Sequence, residues 1–238
     1  MKLLVENRDK VRILTMNRPE KRNALDSELT QELLKQLRVA DAEDAVDAIV
    51  LTGAGQAFCA GADLSEFKDL KDPQAAEARA ELTMQLHLVF SKMTTPVVTA
   101  INGAAMGGGA GLAIAGDLAV MVRGAKIGYP EAKHGIVAAI VMANLVRQIG
   151  PKAAFELVAL GEGIDADRAL ALGLVNRVVT EGQLMESALY FATKIAALPK
   201  AAMAQTKRLF YEVLDLPLEE SLKRAREINK KMRGLGKP

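Results

Sequence analysis

A carboxylate directly after a proline marks the first candidate for chemistry, Glu131. It lies in the run Tyr129–Glu131, between a short predicted strand and Gly135, and Ile136 and Val137 supply apolar neighbours. Desolvation by such neighbours would raise the pKa of the carboxyl, because burial disfavours its charged form. A raised pKa suits a carboxyl to proton transfer near neutral pH. We therefore take Glu131 as a candidate acid/base, with an ordinary surface glutamate as the alternative.

Two runs of small residues could supply backbone donors. Phe58–Leu64 follows a predicted strand and a glycine turn, and Asn102–Gly111 lies between a strand and a helix. Small residues let a ligand approach the backbone closely, so that N–H groups can bind an anion or a developing oxyanion. The second run places Gly107–Gly109 at a helix start, where the first N–H groups have no partner within the helix. For the first run, a tight strand-to-helix turn is the alternative.

Other chemistries find little support. His87 and His134 are the only histidines, so a histidine-rich zinc site is excluded and no metal site is predicted. His87 lies in an amphipathic helix, which favours a structural role, whereas His134 follows Glu131 closely enough to line the same loop. Asn102–Gly111 does not spell the dinucleotide-binding pattern, and Gly161–Ala166 matches its relaxed form only after a helical segment, so we interpret it as an interhelical turn.

Composition sets the remaining limits. The chain has 238 residues, 50% of them hydrophobic, and a net charge of +2, which allows one sizeable core and indicates no nucleic-acid partner. Its uncharged stretches, Ile101–Gly116 and Gly135–Val146, are too short to span a bilayer. Cys59 is the only cysteine and is expected to be a small packed residue. Together with the absence of a signal-peptide core near Met1, this favours a cytoplasmic protein without a membrane partner.

The predicted elements place these residues on an α/β framework. Leu3–Glu6 and Val11–Met16 predict a hairpin, and Asp26 or Ser27 can cap the helix that follows. Strands and helices alternate through the first two thirds, and helices dominate the end. The basic stretch Lys223–Lys237 is expected to form a solvated helix face, with a phosphate or partner contact as the alternative.

Five motifs in chain order point to a known family: Asn17–Leu25, Ile49–Gly53 with Ala57–Leu64, Pro96–Asn102 with Gly107–Gly109, Tyr129–Gly135, and Ala171–Asn176. They resemble the N-terminal signature, the two oxyanion segments, the catalytic loop and a later turn of the enoyl-CoA hydratase/isomerase (crotonase) family. Each motif alone is weak, but the five in order are specific and extend over nearly the whole chain.

The resemblance implies a fold and an assembly. The fold would be α/β, a crotonase-like spiral of ββα units with a helical C-terminal region. Residues 1–190 would form the spiral core, and residues 191–238 a helical trimerisation region. A homotrimer or a dimer of trimers is therefore expected.

The resemblance also assigns roles to residues. The N–H groups of Ala62 and Gly108 would form an oxyanion hole for a thioester carbonyl, and Glu131 would be the catalytic acid/base. An acyl-CoA thioester would be the substrate, with coenzyme A as part of it and no permanently bound cofactor. The residues at the family's substrate-binding positions are Arg22, Ala24, Ala60, Asp63 and Leu64.

Two departures from the family pattern concern the reaction and the ligand. Two-glutamate hydratases carry their other acid three residues after the oxyanion glycine, where this sequence has Gly111. One carboxylate suits double-bond isomerisation better than two-acid hydration, and a non-catalytic acyl-CoA-binding protein is the alternative function. Many relatives also continue into a last helix near the ligand, whereas this sequence ends at Pro238, so the resemblance assigns no C-terminal contact to coenzyme A.

Overall fold

The computed structural model describes residues 1–67 and 72–234. Lys237 of the basic stretch and the end of the predicted C-terminal region, residues 235–238, lie outside the described residues. The strands are β1 (Leu3–Arg8), β2 (Val11–Met16), β3 (Ala48–Gly53), β4 (Ala57–Cys59), β5 (Val97–Ile101), β6 (Ala104–Met106), β7 (Leu118–Val122), β8 (Lys126–Gly128), β9 (Ile164–Asp165) and β10 (Arg177–Val179). The α-helices are α1 (Ser27–Ala42), α2 (Leu64–Phe67), α3 (Pro73–Lys92), α4 (Gly108–Ala113), α5 (Ala139–Leu160), α6 (Ala166–Ala171), α7 (Leu184–Ala196), α8 (Lys200–Val213) and α9 (Leu218–Met232).

Local sequence signals explain where several helices begin and break. The side chain of Asp26 accepts a hydrogen bond from the Leu29 N–H at 2.8 Å, which confirms the predicted cap of α1. Helix α5 is interrupted at Gly150, where φ is 76° and ψ is 169°, directly before Pro151. Because proline cannot donate the next helical hydrogen bond, the chain forms two helical pieces there.

The strands form two sheets, and a repeated β-β-α unit contributes one strand to each of them. The larger sheet has the order β1-β2-β3-β5-β7-β10, and the smaller has the order β4-β6-β8-β9. From β3 to β8, the first strand of each β-β-α unit joins the larger sheet and the second joins the smaller one. Strands β3, β5 and β7 are parallel neighbours, and so are β4, β6 and β8. The predicted hairpin is confirmed as the antiparallel pair β1 and β2.

The core lies around the middle of the larger sheet. Every residue of β3 and β5 is buried, as expected for parallel strands that are covered on both faces. Helix α7 packs across β3, β5 and β7, and α1 packs against α3. Within residues 1–67 and 72–234, no helix combines the length and the apolar character that a membrane crossing requires.

Helix α8 is attached to the core by a buried polar cluster. The Lys207 Nζ donates to Asp117 Oδ2 at 2.7 Å and to the Thr95 carbonyl at 3.0 Å. The Tyr211 hydroxyl donates to the other oxygen of Asp117 at 3.0 Å, and the Val97 N–H donates to Asp117 Oδ2 at 2.7 Å. These contacts join α8 to the starts of β5 and β7.

The final helix makes a looser association. Helix α9 has no buried residue and packs on α8, and apolar side chains of this region, including Phe210, Leu218 and Leu222, are exposed. The division at residue 190, which falls within α7, stays a prediction, and so does the trimerising role of the helices that follow it.

We expect Lys207→Met to lower the free energy of unfolding by about 3 kcal/mol, because removing one partner of a buried ion pair leaves the other charge uncompensated. Arg208→Met is the matched control, since Arg208 is exposed on the same helix. The control should change stability by less than about 0.5 kcal/mol. Urea unfolding of both variants measures the difference, and equal losses would contradict a specific role for the buried cluster.

Candidate active site

The site forms where three parallel strands end side by side. Strands β4, β6 and β8 are neighbours in the smaller sheet, so their carboxyl ends meet at one edge. The segment Ala60–Leu64 follows β4, Gly107–Gly108 follows β6, and Tyr129–Glu131 follows β8. The three candidate regions of the sequence are therefore brought to the same edge.

Glycines permit the close approach of these strand ends. The Gly107 N–H donates to the Gly128 carbonyl at 2.8 Å, which joins the ends of β6 and β8. Gly61 has a φ of 97°, and a Cβ there would lie 2.7 Å from the Met106 carbonyl oxygen. A Cβ on Gly109 would collide with the carbonyl group of Cys59. Residues with side chains would separate the first two regions of the site.

Two backbone N–H groups meet at this edge. A Cβ placed on Gly108 would lie 3.7 Å from the Ala62 nitrogen, so the two residues are in close contact. Both residues are partly exposed. Neither the Ala62 N–H nor the Gly108 N–H donates a hydrogen bond to any acceptor within residues 1–67 and 72–234. Ala62 and Gly108 thus offer two neighbouring donors to a ligand.

Glu131 lies next to the start of α4. A 3₁₀ helix, Pro130–His134, holds it in place and ends at Gly135, whose φ is 68°. A Cβ on Gly107 would lie 3.0 Å from Glu131 Oε1, so the missing side chain at 107 makes room for the carboxylate. Glu131 Oε2 is buried and has no hydrogen-bond partner among the described residues. Burial raises the pKa of Glu131, against the opposing effects of its own backbone and of His134.

Tyr129 contributes a second unpaired polar group beside Glu131. Its side chain is fully buried, and within the described parts of the chain its hydroxyl makes no hydrogen bond. Burial raises the pKa of Tyr129, and the negative charge of Glu131 raises it further. The hydroxyl therefore stays protonated and faces the field of the carboxylate, a feature that sequence patterns did not reveal.

The predicted substrate-binding residues lie on two paired segments. Residues 22–25 run alongside residues 60–63 and exchange backbone hydrogen bonds with them. The bonds run from Ala60 N to Arg22 O at 2.9 Å, from Leu25 N to Gly61 O at 2.7 Å, and from Asp63 N to Leu25 O at 3.0 Å. Arg22, Ala24, Ala60 and Asp63 are thereby brought together, and Leu64, 49% exposed, begins α2 beside them.

The Arg22 turn is held in an uncommon backbone conformation. Arg22 and Asn23 have φ values of 51° and 55°. These values lie in the left-handed region of the backbone, which residues other than glycine and asparagine rarely adopt. The buried Asn23 amide donates to the carbonyls of Ala54 and Ala57 at 2.9 and 2.8 Å. These bonds fix the turn before any ligand arrives.

Arg18 is an organising residue that sequence reasoning did not single out, although it lies within the Asn17–Leu25 motif. Its guanidinium donates to the Ala24 carbonyl and to Asp63 Oδ2, the latter at 2.9 Å. A hydrogen bond from Ser65, and after it the Arg18 contact, lowers the pKa of Asp63 to about 2. The Asp63 side chain is thus engaged within the protein, where it connects the segment after β4 to the segment that carries Arg18 and Ala24.

Position 111 offers no acid and no free space. A Cβ on Gly111 would lie 2.6 Å from Val141 Cγ1 and 2.7 Å from His87 Cε1. The volume that a side chain would need is therefore occupied by residues from α5 and α3. No group of three or more potential metal ligands was found in the part of the chain that the structure describes.

Comparisons with known proteins agree on one family. The family model described as enoyl-CoA hydratase/isomerase matches residues 6–234. A Thermus thermophilus protein named as an enoyl-CoA hydratase is 40% identical over 229 residues, which cover 95% of this chain and 90% of that protein. The 2,3-dehydroadipyl-CoA hydratase of Escherichia coli is 34% identical over 229 residues, with coverages of 95% and 88%.

Solved structures show the same likeness in three dimensions. Enoyl-CoA hydratase subunit I from Geobacillus kaustophilus has a TM-score of 0.92 at 32% identity, covering 98% of this chain and 90% of that one. The enoyl-CoA hydratase of Bacillus anthracis has a TM-score of 0.92 at 30% identity, with coverages of 97% and 90%.

The low pKa of Asp63 predicts a specific loss of stability in acid. A carboxyl whose pKa falls from 3.8 to about 2 on folding stabilises the protein above the ordinary pKa, and this contribution disappears as the pH falls toward 2. We expect Asp63→Asn to be less stable than the native protein by at most about 2 kcal/mol at neutral pH. The gap should narrow between about pH 4 and pH 2.

Chemical unfolding across this pH range measures that gap. Ser65→Ala is the matched variant, since it removes the main cause of the low pKa while keeping the carboxyl, and it should reproduce part of the effect. A gap between the native protein and Asp63→Asn that stays constant down to pH 2 would contradict the assignment.

Proposed function

Because the chain belongs to the enoyl-CoA hydratase/isomerase (crotonase) family, we propose that it binds an acyl-CoA thioester and stabilises the enolate formed from it. The likeness to solved enoyl-CoA hydratases confirms the expected crotonase-like fold, and the family is one of enzymes. The observation that carries the proposal is the meeting of two unpaired backbone donors with one unpaired carboxylate oxygen at a single edge of the smaller sheet.

The two donors suit the oxygen of a thioester. When a proton leaves the carbon next to the thioester, negative charge moves onto the carbonyl oxygen. The N–H groups of Ala62 and Gly108 stand close together and are unpaired among the described residues, so they can both donate to that oxygen. Donors fixed in advance stabilise such charge without the cost of reorganisation. This pair is our proposed oxyanion hole.

Glu131 suits the proton transfer that accompanies the enolate. Its raised pKa brings it nearer to neutrality, where a carboxyl can both accept and return a proton. In a double-bond isomerisation, Glu131 would take a proton from one carbon while the electron pair moves to the thioester oxygen. The enolate would then reclaim the same proton at another carbon, which leaves Glu131 unchanged. A single carboxylate is sufficient for this cycle.

Coenzyme A would enter as part of the substrate, and the chemistry described needs no permanently bound cofactor. We place the nucleotide and pantetheine along the paired segments that carry Arg22, Ala24, Ala60, Asp63 and Leu64. The segments lead directly to Ala62, and Arg22 is exposed, as a cation that meets phosphate groups must be. Most of the remaining contacts would come from backbone atoms.

The alternative is a non-catalytic acyl-CoA-binding protein on the same fold. The lack of an acid at Gly111 favours it, because only Glu131 remains of a two-carboxylate arrangement. The binding-protein alternative predicts that the thioester is bound but not turned over, whereas our proposal predicts binding and turnover. Incubation with a panel of enoyl-CoA thioesters separates the two functions.

We expect Glu131→Gln to lower turnover by ~10²–10⁴-fold, the usual contribution of a placed proton-transfer group. Binding of the acyl-CoA thioester should stay within a small factor, because the amide keeps the shape of the side chain. Steady-state kinetics and calorimetric titration measure the two quantities, with the exposed Glu156→Gln as the control. Turnover within threefold of the native protein would reject Glu131 as the acid/base.

We expect Gly108→Pro to lower turnover by ~10²-fold or more, because proline has no N–H and one oxyanion donor typically contributes ~10²–10³ in rate. Gly108 is the first residue of α4, a position at which helices accept proline. A Cβ there would make ordinary contacts, 3.7 Å from the Ala62 nitrogen and 3.8 Å from Leu25 Cδ1.

Gly108→Ala is the matched control, since it adds the Cβ and keeps the N–H. It should retain turnover within about tenfold, a limit well inside the loss assigned to one donor. A folded proline variant, checked by circular dichroism, that turns over as fast as the alanine variant would show that this N–H is not in the oxyanion hole.

A further inference from the structure

The space beside Gly111 is filled by a side chain with unused hydrogen-bonding capacity. His87 comes from α3, and its Cε1 lies 2.7 Å from where a Cβ of Gly111 would be. Its Nε2 is buried and has no hydrogen-bond partner among residues 1–67 and 72–234. A buried polar atom without a partner is costly, and this nitrogen is free to accept a hydrogen bond from a bound molecule.

The imidazole and the Glu131 carboxylate lie along the same short helix. Glu131 Oε1 lies near Gly107, and His87 lies near Gly111. The Gly111 N–H donates to the Gly107 carbonyl at 3.0 Å, so the two glycines are one helical turn apart. Gly107 is the N-cap of α4 and Gly111 lies within its first turn. The carboxylate and the imidazole thus approach the same turn of α4, where a substrate carbon and a water molecule would lie between them.

We propose that His87 is the second acid/base group of this site and that it holds the water molecule that adds to the double bond of an enoyl-CoA. The inference rests on the proposed function, because it needs the oxyanion hole and Glu131. It adds the class of reaction, hydration, which a single carboxylate does not readily explain.

The proposed step balances in atoms and charge. The water oxygen bonds to the β-carbon, the double-bond electrons move to the thioester oxygen, and a water proton passes to the lone pair of His87 Nε2. Glu131, initially protonated, then gives its proton to the α-carbon as the carbonyl re-forms. The imidazolium returns its proton through solvent, and Glu131 regains one, so the sum is addition of one water molecule. The base form requires the tautomer that carries its hydrogen on Nδ1.

A neutral imidazole differs electrostatically from a second carboxylate. Two neighbouring carboxylates would repel each other, so one would retain its proton. Burial lowers the pKa of His87 to about 4, so the free ring is neutral and adds no charge beside Glu131. This pKa is close to the ordinary value of a glutamate, which gives the neutral ring the base strength of a carboxylate.

The test compares two reactions that need different residues. Hydration of a short enoyl-CoA requires both groups, whereas exchange of the α-protons of a saturated acyl-CoA in deuterium oxide requires the oxyanion hole and Glu131 alone. We expect His87→Phe, which keeps a ring of similar size, to lower hydration by ~10²-fold or more. Its α-proton exchange should stay within threefold of the native rate. His87→Gln, a smaller change, provides a second variant in case the first does not fold.

The control is Val141→Ala, which opens the same space beside Gly111 without removing a polar atom. Its ratio of hydration to exchange should equal the native ratio. A further variant combines His87→Ala and Val141→Ala with Gly111→Glu, so that both side chains that would collide with a residue at position 111 are shortened. It moves the acid to position 111 and should recover hydration to within tenfold of the native rate.

The possible failures can be told apart. Native protein without α-proton exchange would overturn the proposed function, and this inference with it. Native protein that exchanges α-protons but does not hydrate would overturn this inference alone. A folded His87 variant that hydrates within threefold of the native rate would also overturn this inference. So would a variant that loses hydration and exchange in parallel, since His87 would then be a packing residue.

Discussion

The parallel alignment of β4, β6 and β8 is the constraint on which the candidate site depends. Each strand is three residues long, and each is followed at once by one part of the site. The alignment requires glycine at the points of contact, because a Cβ on Gly61 or Gly109 would push a neighbouring segment away. The larger sheet supplies the rigidity, since the unit that provides each short strand is anchored by a buried strand of that sheet. The site is thus a property of strand ends rather than of any one loop.

Electrostatics then distinguishes the groups at that edge. Burial shifts the pKa of Glu131 upward and that of His87 downward, so both are driven toward their neutral forms. Asp63 behaves oppositely, because Ser65 and Arg18 stabilise its charged form. One carboxylate is therefore suited to proton transfer, while the other is fixed by its contacts with Ser65 and Arg18.

The elements with strong local signals could be predicted from sequence. The hairpin follows from two apolar runs around a polar tip, and α1 follows from its Asp26 cap and its leucine stripe. The break in α5 follows from Gly150 and Pro151. Strands β4 and β6 were not predicted, because Ala57–Cys59 and Ala104–Met106 are too short and too uniform in size for an alternating pattern to emerge. They form because their neighbours in space pair with them.

The candidate site likewise contains residues that local sequence signals indicate and residues that only the fold identifies. Glu131 and the glycine runs stand out by residue type, whereas the roles of Arg18 and His87 depend on contacts between segments distant in the chain. Arg18 meets Asp63 across 45 positions. Sequence favoured a structural role for His87 because its helix is amphipathic, and no local pattern indicates that its Nε2 is unpaired. Long-range packing decides such roles, and a single sequence does not encode it in a visible pattern.

The burial of Cys59 affects how its thiol can react with an electrophilic substrate. An enoyl thioester, the class of substrate proposed here, is an electrophile whose β-carbon reacts with thiolates. Cys59 lies at the end of β4, against Gly109, yet it is fully buried, and this burial raises the pKa of its thiol to about 12. Because the thiolate and not the thiol is the nucleophile, the folded protein presents almost no reactive sulfur. Burial therefore protects the cysteine from alkylation by a substrate of the proposed class.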